Sequence, residues 1–202
     1  MDHVIDSHHL FVYLPVRSAE GVLCAGAENR KSCKCRRARK GPSPDSIILS
    51  ETIMSAENSL RIRRLEAVDT DRLVEIWFEA SCQAHHFLPL EMLEQQRDLI
   101  RKVYLPRAET WVAVCKGKPA GFVSLLDCHI GGLFIDPAMQ GSGIGRRLVD
   151  HASRDRSPLT VEVYEENAPA LAFYKHLDFV AVGRRPLDDN GLPHPLIRMK
   201  RG

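Results

Sequence analysis

The stretch Leu133–Val149, LFIDPAMQGSGIGRRLV, decides how this chain folds and what it can bind. An apolar run that ends at Asp136 predicts a strand, and helical periodicity then begins near Gly143. Glycines 141, 143 and 145 lie between the two elements. The first amides of a helix have no internal partners, and glycine lets an anion approach them closely. The stretch therefore predicts a strand, a loop that binds a pyrophosphate, and a helix.

Two other glycine-rich nucleotide-binding motifs fit this stretch poorly. A Rossmann fingerprint requires a strand that ends in an acidic residue about twenty residues further on, and no clear one follows. The motif also comes late, after three strands that read as antiparallel. A Walker loop requires Gly-Lys followed by Ser or Thr, whereas Gly145 is followed by Arg146. Neither fold is predicted.

The flanking sequence predicts an α/β fold with a mixed, mostly antiparallel sheet and helices on both faces. Strands are indicated by short alternating or apolar runs, and helices by apolar residues at helical spacing. The predicted order is strand 60–65, helices 70–82 and 90–104, strands 111–115, 120–126 and 129–135, helix 143–156, strand 159–164, helix 168–177, and strands 179–185 and 196–200.

Three motifs in this order resemble the GNAT superfamily of N-acetyltransferases. The segment Gln140-x-x-Gly143-x-Gly145 is similar to the family's acetyl-CoA loop, and LFIDP resembles the end of its fourth strand. NAPALAFYKHLDF, residues 167–179, resembles its Asn-x-x-Ala-x-x-Phe-Tyr helix. WFEASCQAHHFL, residues 77–88, looks most like the small bacterial YjaB- and YiaC-type members. The resemblance implies the GNAT acyl-CoA N-acyltransferase fold, acetyl-CoA as co-substrate, and no metal.

The resemblance also implies a set of cofactor-binding residues. A backbone amide between Leu133 and Ile135 would donate to the thioester oxygen as it becomes an oxyanion. Asn167 would hold the pantetheine arm, cap its helix, or do both. Two positions depart from the family: Asp178 stands where glycine is common, and Gly131 where close relatives often carry an acidic residue. The expected cofactor-binding residues are Leu133, Phe134, Ile135, Gln140, Gly141, Ser142, Gly143, Ile144, Gly145, Arg146 and Asn167.

The same resemblance makes Tyr174 the expected acid that protonates the departing CoA thiolate, because a phenol is a suitable donor for this step. The other interpretation of Tyr174 is a core aromatic residue. The sequence does not identify a single base that takes the proton of the amine. His129 is the first choice, and Glu162 and the His85–His86 pair are further candidates, since histidine titrates near neutrality. The expected substrate-binding residues are His85, His86 and Phe87.

The predicted activity is transfer of an acetyl group from acetyl-CoA to a primary amine, and the YjaB and YiaC resemblance favours a protein or peptide lysine. The alternatives are a small-molecule amine, such as a polyamine, antibiotic or amino acid, and a non-catalytic regulator that binds acetyl-CoA. Acidic residues in the 79–98 region could attract a cation, but their helical spacing is more typical of a solvated face.

Residues 1–56 differ from the remainder, residues 57–202, which should form the GNAT domain. The first part contains the basic run NRKSCKCRRARK and is expected to be a disordered tail or a non-native extension. Its cysteines and histidines fit no zinc pattern well.

The remainder, residues 57–202, has twenty basic and twenty acidic residues, so nucleic-acid binding is not expected there. No apolar run is long enough to span a membrane. Six scattered cysteines indicate a reduced, cytoplasmic protein, and a homodimer is allowed.

Overall fold

A computed structural model describes residues 60–154 and 156–202, which form a seven-stranded sheet in the order β1-β2-β3-β4-β5-β7-β6. All neighbouring strands are antiparallel except β4 and β5. The basic run, the zinc candidates and the rest of the N-terminal part lie outside the described residues. The strands are β1 Arg61–Arg64, β2 Glu109–Cys115, β3 Lys118–Leu126, β4 His129–Ile135, β5 Leu159–Tyr164, β6 Val180–Arg185 and β7 Leu196–Arg201.

Four helices cover the two faces of the sheet: α1 Thr70–Ala84, α2 Leu90–Leu99, α3 Ile144–Ser153 and α4 Ala168–Lys175. On one face α1 and α2 pack against alternate sheet residues such as Val112 and Phe122. On the other face α3 and α4 pack against the intervening positions, such as Ala113 and Val123. The two-residue period of a strand places neighbours on opposite faces, so each strand supplies both cores. The predicted fold class is confirmed.

Two helix ends differ from the prediction by three residues. Beyond α2 the chain stays helical through a π-helical turn, Ile100–Tyr104, and a short segment, Leu105–Arg107, although Pro106 was expected to lie beyond the end. Proline is tolerated there because it lies in the first turn of a new segment. In contrast, α3 stops at Ser153, three residues early. The chain must leave the helical conformation before Pro158, since a proline disfavours it at the preceding residue.

The strands β4 and β5 separate shortly after they begin. Their parallel pairing comprises only His129 with Thr160 and Ile130 with Val161. At the same point a register shift against β3 makes Gly131 an extra, bulged residue, because Ser124 pairs with Gly132 while Leu125 pairs with Ile130. A bulge bends its strand and re-aims the residues that follow. The result is an opening between β4 and β5 in the middle of the sheet.

The end of α4 forms a left-handed turn on Asp178, which has φ of +63°. The amide of Phe179 donates to the carbonyl of Tyr174, at 3.1 Å, and the amide of Asp178 donates to that of Lys175, also at 3.1 Å. The turn therefore forms although the glycine that is common in the family is absent. An L-residue is strained in this conformation, and aspartate tolerates it only partly.

We expect Asp178→Gly to stabilise the protein by about 0.5–1 kcal/mol, because relief of the strain outweighs the added freedom of the unfolded chain. Thermal unfolding should show a midpoint raised by about 2–3 °C. Lys175→Gly is the matched control: its backbone is helical, so the same replacement should lower the midpoint. An unchanged or lower midpoint for Asp178→Gly would show that the turn is not strained.

Candidate active site

The opening between β4 and β5 is a cleft of about 660 Å³ that crosses the sheet. One wall is β4 from Ile130 to Ile135, and the other is β5 from Val161 to Tyr164. Beyond Ile130, β4 has no strand partner on its β5 side within the described sheet. Backbone groups of β4 that face the cleft are therefore available to a ligand, which is what an oxyanion contact between Leu133 and Ile135 requires.

The loop after β4 closes one end of the cleft. Gly141 and Gly143 have φ of +74° and +81°, and Gly143 is the N-cap of α3. Such values favour glycine and direct the chain so that the first amides of α3 lie at the cleft. A Cβ on Gly145 would lie 3.2 Å from the ring of Phe173 on α4, so this glycine allows the two helices to approach closely.

Ten of the eleven predicted cofactor-binding residues line this cleft, and Ser142 does not. The Ser142 hydroxyl donates instead to the carbonyl of Met139, at 2.5 Å, so it closes the turn inside the loop. Gln140 lines the cleft and its side-chain amide donates to Gln83 Oε1 at 3.4 Å. Asn167 lines the cleft and also caps α4, because its side chain accepts from the amide of Ala170 at 3.1 Å.

Tyr174 lies on α4 at the cleft and is only 5% exposed. Its ring packs between those of Phe173 and Phe179, with centroids 5.1 and 5.2 Å away. Burial raises the pKa of the Tyr174 hydroxyl well above its usual value, so the group is protonated at any physiological pH. This position is compatible with both interpretations of Tyr174, as a core aromatic residue and as an acid, because its ring belongs to the core and the residue also lines the cleft.

The candidate bases occupy different environments. His129 lies where β4 and β5 are still paired, does not line the cleft, and has Nδ1 3.0 Å from Thr160 Oγ1. Glu162 does line it, but Arg198 donates to one of its carboxylate oxygens and Arg185 to the other, each at 3.0 Å. Protonation of Glu162 would weaken both ion pairs. Neither position favours a general base.

Of the three predicted substrate-binding residues at the end of α1, only His85 lines the cleft. His85 lines the cleft, with its ring 5.2 Å from that of Tyr164. Its Nδ1 is buried without a hydrogen-bond partner among the described residues. Burial, with a smaller effect from His86, lowers the pKa of His85 to about 4. His86 is exposed, and Phe87 packs between Tyr164 and His194 behind the cleft wall, so neither lines the cleft.

The sequence prediction missed how the β5 wall is held. Tyr164 donates its hydroxyl to Asp188, at 3.2 Å, and Asp188 also accepts from the amides of Asn190 and Leu192. Arg185 joins Glu162 to Asp189. Two adjacent aspartates of the β6–β7 loop thus hold the two polar residues of the β5 wall. The segment DDNG is typical of an exposed turn, so the burial of Asp188 could not be inferred.

Comparison with known proteins agrees with this geometry. The acetyltransferase (GNAT) domain family matches residues 106–181. The peptidyl-lysine N-acetyltransferase YjaB of Escherichia coli is 40% identical over 69% of this chain and 95% of its own. The chain belongs to the GNAT acetyltransferase family. It is an N-acetyltransferase with acetyl-CoA as the acetyl donor, and among its described residues no group that could hold a metal is found.

Structural similarity extends over the same region. The solution structure of apo YjaB has a TM-score of 0.65 and covers 70% of this chain and 97% of its own. The peptidyl-lysine N-acetyltransferase YiaC of Escherichia coli is 30% identical over 65% of this chain and 91% of its own. The PaiA N-acetyltransferase of Thermoplasma acidophilum, solved with coenzyme A, shares the fold at 16% identity, with a TM-score of 0.59 over 71% of this chain and 99% of its own.

Proposed function

We propose that this acetyltransferase modifies the side-chain amine of lysine in proteins or peptides. The observation that carries the proposal is the similarity to YjaB and YiaC, both named as peptidyl-lysine N-acetyltransferases. The match to YjaB spans 95% of that protein, so it includes the acceptor side as well as the cofactor loop. The cleft also crosses the sheet, which lets an amine approach from the side opposite the cofactor.

In this proposal the amine nitrogen attacks the thioester carbonyl carbon, the carbon–sulfur bond breaks, and CoA leaves as a thiolate. The first amides of α3 and the Gln140–Gly145 loop bind the pyrophosphate. A β4 amide between Leu133 and Ile135 donates to the oxyanion. Tyr174, whose hydroxyl is protonated before the reaction, gives its proton to the sulfur of CoA as the carbon–sulfur bond breaks.

His85 is the residue that we assign to the acceptor amine. A pKa of about 4 means that its imidazole is neutral above about pH 5, and a neutral ring has one nitrogen that accepts a hydrogen bond. His85 lines the cleft, so an amine N–H there can donate to the accepting nitrogen of the neutral ring and be oriented toward the thioester. A water molecule can carry the proton that the amine loses to the Tyr174 phenolate, which restores the hydroxyl for the next turnover.

Replacing His85 by alanine should raise KM for a lysine peptide about fivefold and leave KM for acetyl-CoA unchanged, because one hydrogen bond to the acceptor is lost. His86→Ala is the matched control, since His86 is the adjacent, exposed histidine. Initial rates against both substrates would measure the effect. The wild-type rate should show no titration of His85 between pH 6 and 8. Equal effects in the two variants would contradict this role.

Three matched acceptors test the lysine assignment. The first is a peptide with a blocked N-terminus and one free lysine, the second is the same peptide with a free N-terminus and an acetylated lysine, and the third is the polyamine spermidine. CoA release and product mass would be measured for each. We expect kcat/KM for the first to exceed the others at least tenfold. A preference for spermidine would move the assignment to small-molecule amines.

Two further features of the protein belong to the same proposal. We place it in the cytoplasm, in agreement with the free thiols of Cys82, Cys115 and Cys128. No helix in the described part of the chain has the length and apolar character needed to cross a membrane. A homodimer stays a prediction, which the molar mass in solution would test.

A further inference from the structure

Helix α1 is joined to the start of the cofactor loop by an ion pair. Arg72 on α1 donates through Nη2 to Asp136 Oδ2 at 2.5 Å, across 64 positions of sequence. The Arg72 side chain is 35% exposed and that of Asp136 is 17% exposed, so the contact is partly shielded from water. Partial burial matters because a fully exposed ion pair contributes little.

Asp136 organises the chain between β4 and the loop. Its amide donates to the carbonyl of Ala120 on β3, at 2.9 Å, and its carbonyl accepts from Met139 at 2.7 Å. Its Oδ1 accepts from the amide of Ala138, also at 2.9 Å. One carboxylate oxygen thus shapes the Pro137–Met139 turn, and the other binds Arg72. The turn leads directly into Gln140.

We propose that Arg72 is a positioning residue for acetyl-CoA: its guanidinium holds Asp136, and through it the Pro137–Met139 turn, in the orientation that presents the Gln140–Gly145 loop to the pyrophosphate. Arg72 does not line the cleft, so it acts through Asp136 and not on the cofactor. The inference rests on the use of acetyl-CoA and is independent of the acceptor.

The remaining contacts of Arg72 fix its direction. Its Nη1 lies 3.2 Å from Glu75 Oε2 and 3.7 Å from Glu79 Oε1, both on exposed positions of α1. These carboxylates hold one side of the guanidinium along the helix, which leaves Nη2 directed at Asp136. A planar, forked cation can make both sets of contacts at once, and the compact ammonium of lysine cannot.

Binding of free CoA to the purified full-length protein, measured by calorimetry, tests the proposal without an acceptor. Arg72→Ala should raise Kd about fivefold, which corresponds to about 1 kcal/mol. Asp136→Asn should weaken binding similarly, because it keeps an oxygen for Ala138 but loses the charge. Arg101→Ala is the control: it removes another ion pair that involves α1, Arg101 Nη1 with Asp71 Oδ1 at 3.1 Å, which is more exposed and does not touch the loop.

Two further readouts separate positioning from general stability. With a substrate amine, Arg72→Ala should raise KM for acetyl-CoA while kcat at saturation changes less than twofold. The Arg72→Ala, Asp136→Asn double variant should bind CoA no more weakly than the worse single variant, since both changes break one contact. Wild-type CoA affinity in Arg72→Ala, an equal loss in Arg101→Ala, or additive losses in the double variant would each overturn the proposal.

Discussion

Replacing Tyr174 by phenylalanine should reduce turnover about a hundredfold, while affinity for CoA changes less than twofold. The replacement removes one hydroxyl and keeps the ring that packs between Phe173 and Phe179. The core therefore stays filled, and only the proton for the departing thiolate is lost. Steady-state kcat with a lysine peptide, together with the dissociation constant of CoA, would measure both parts of the prediction.

Tyr104→Phe is the matched control for this experiment. Tyr104 is also buried, at 3% exposure, but it lies in the π-helical turn after α2 and does not line the cleft. Loss of its hydroxyl should leave kcat close to that of the wild type. Unchanged kcat in Tyr174→Phe, or an equal loss in both variants, would exclude Tyr174 as the acid.

The pH dependence tests the raised pKa of Tyr174. Because burial raises this pKa, the hydroxyl stays protonated at about pH 10, where an ordinary tyrosine is half deprotonated. The wild-type kcat should therefore show no loss from deprotonation of Tyr174 at about pH 10. A fall in kcat that is centred at about pH 10 and disappears in Tyr174→Phe would contradict the raised pKa.

The fold was predictable because local patterns and tertiary packing agree for most of the chain. The alternation in β2 and β3 and the spacing of apolar residues in α1 describe the same two cores that the structure shows. At two positions the structure differs from what the local pattern predicts. Pro106 is accommodated by a new helical segment, and Asp178 adopts a left-handed conformation. The first exception has no sequence signal, whereas the second lies at a position where the family commonly has glycine.

The cleft was predictable on its cofactor side only. The Gln140–Gly145 loop and Asn167 have spacings that a phosphate and a helix terminus require, so sequence alone indicates them. The β5 wall depends on side chains that meet across distant segments, as Tyr164 meets Asp188. Burial of such a pair arises from the path of the β6–β7 loop, which no local pattern encodes.

The cofactor loop itself yields the second large effect that we expect: Gly143→Ala should weaken CoA binding at least tenfold. Gly143 is the N-cap of α3 with φ of +81°, where an L-residue costs about 1–2 kcal/mol. Apart from its chain neighbours, no described residue lies within 4 Å of a Cβ built there. Gly143 lines the cleft, so the methyl group would take space beside the first amides of α3, where we propose that the pyrophosphate binds.

Gly117→Ala separates backbone strain from loss of the binding site. Gly117 lies in the β2–β3 turn with φ of +75° and has the same open surroundings, but it does not line the cleft. Both variants should lose similar stability in a thermal melt, because the strain is the same. Only Gly143→Ala should lose affinity for CoA in calorimetry. Equal CoA affinities in the two variants would mean that the pyrophosphate does not approach the chain at Gly143. The pyrophosphate would then bind at other residues.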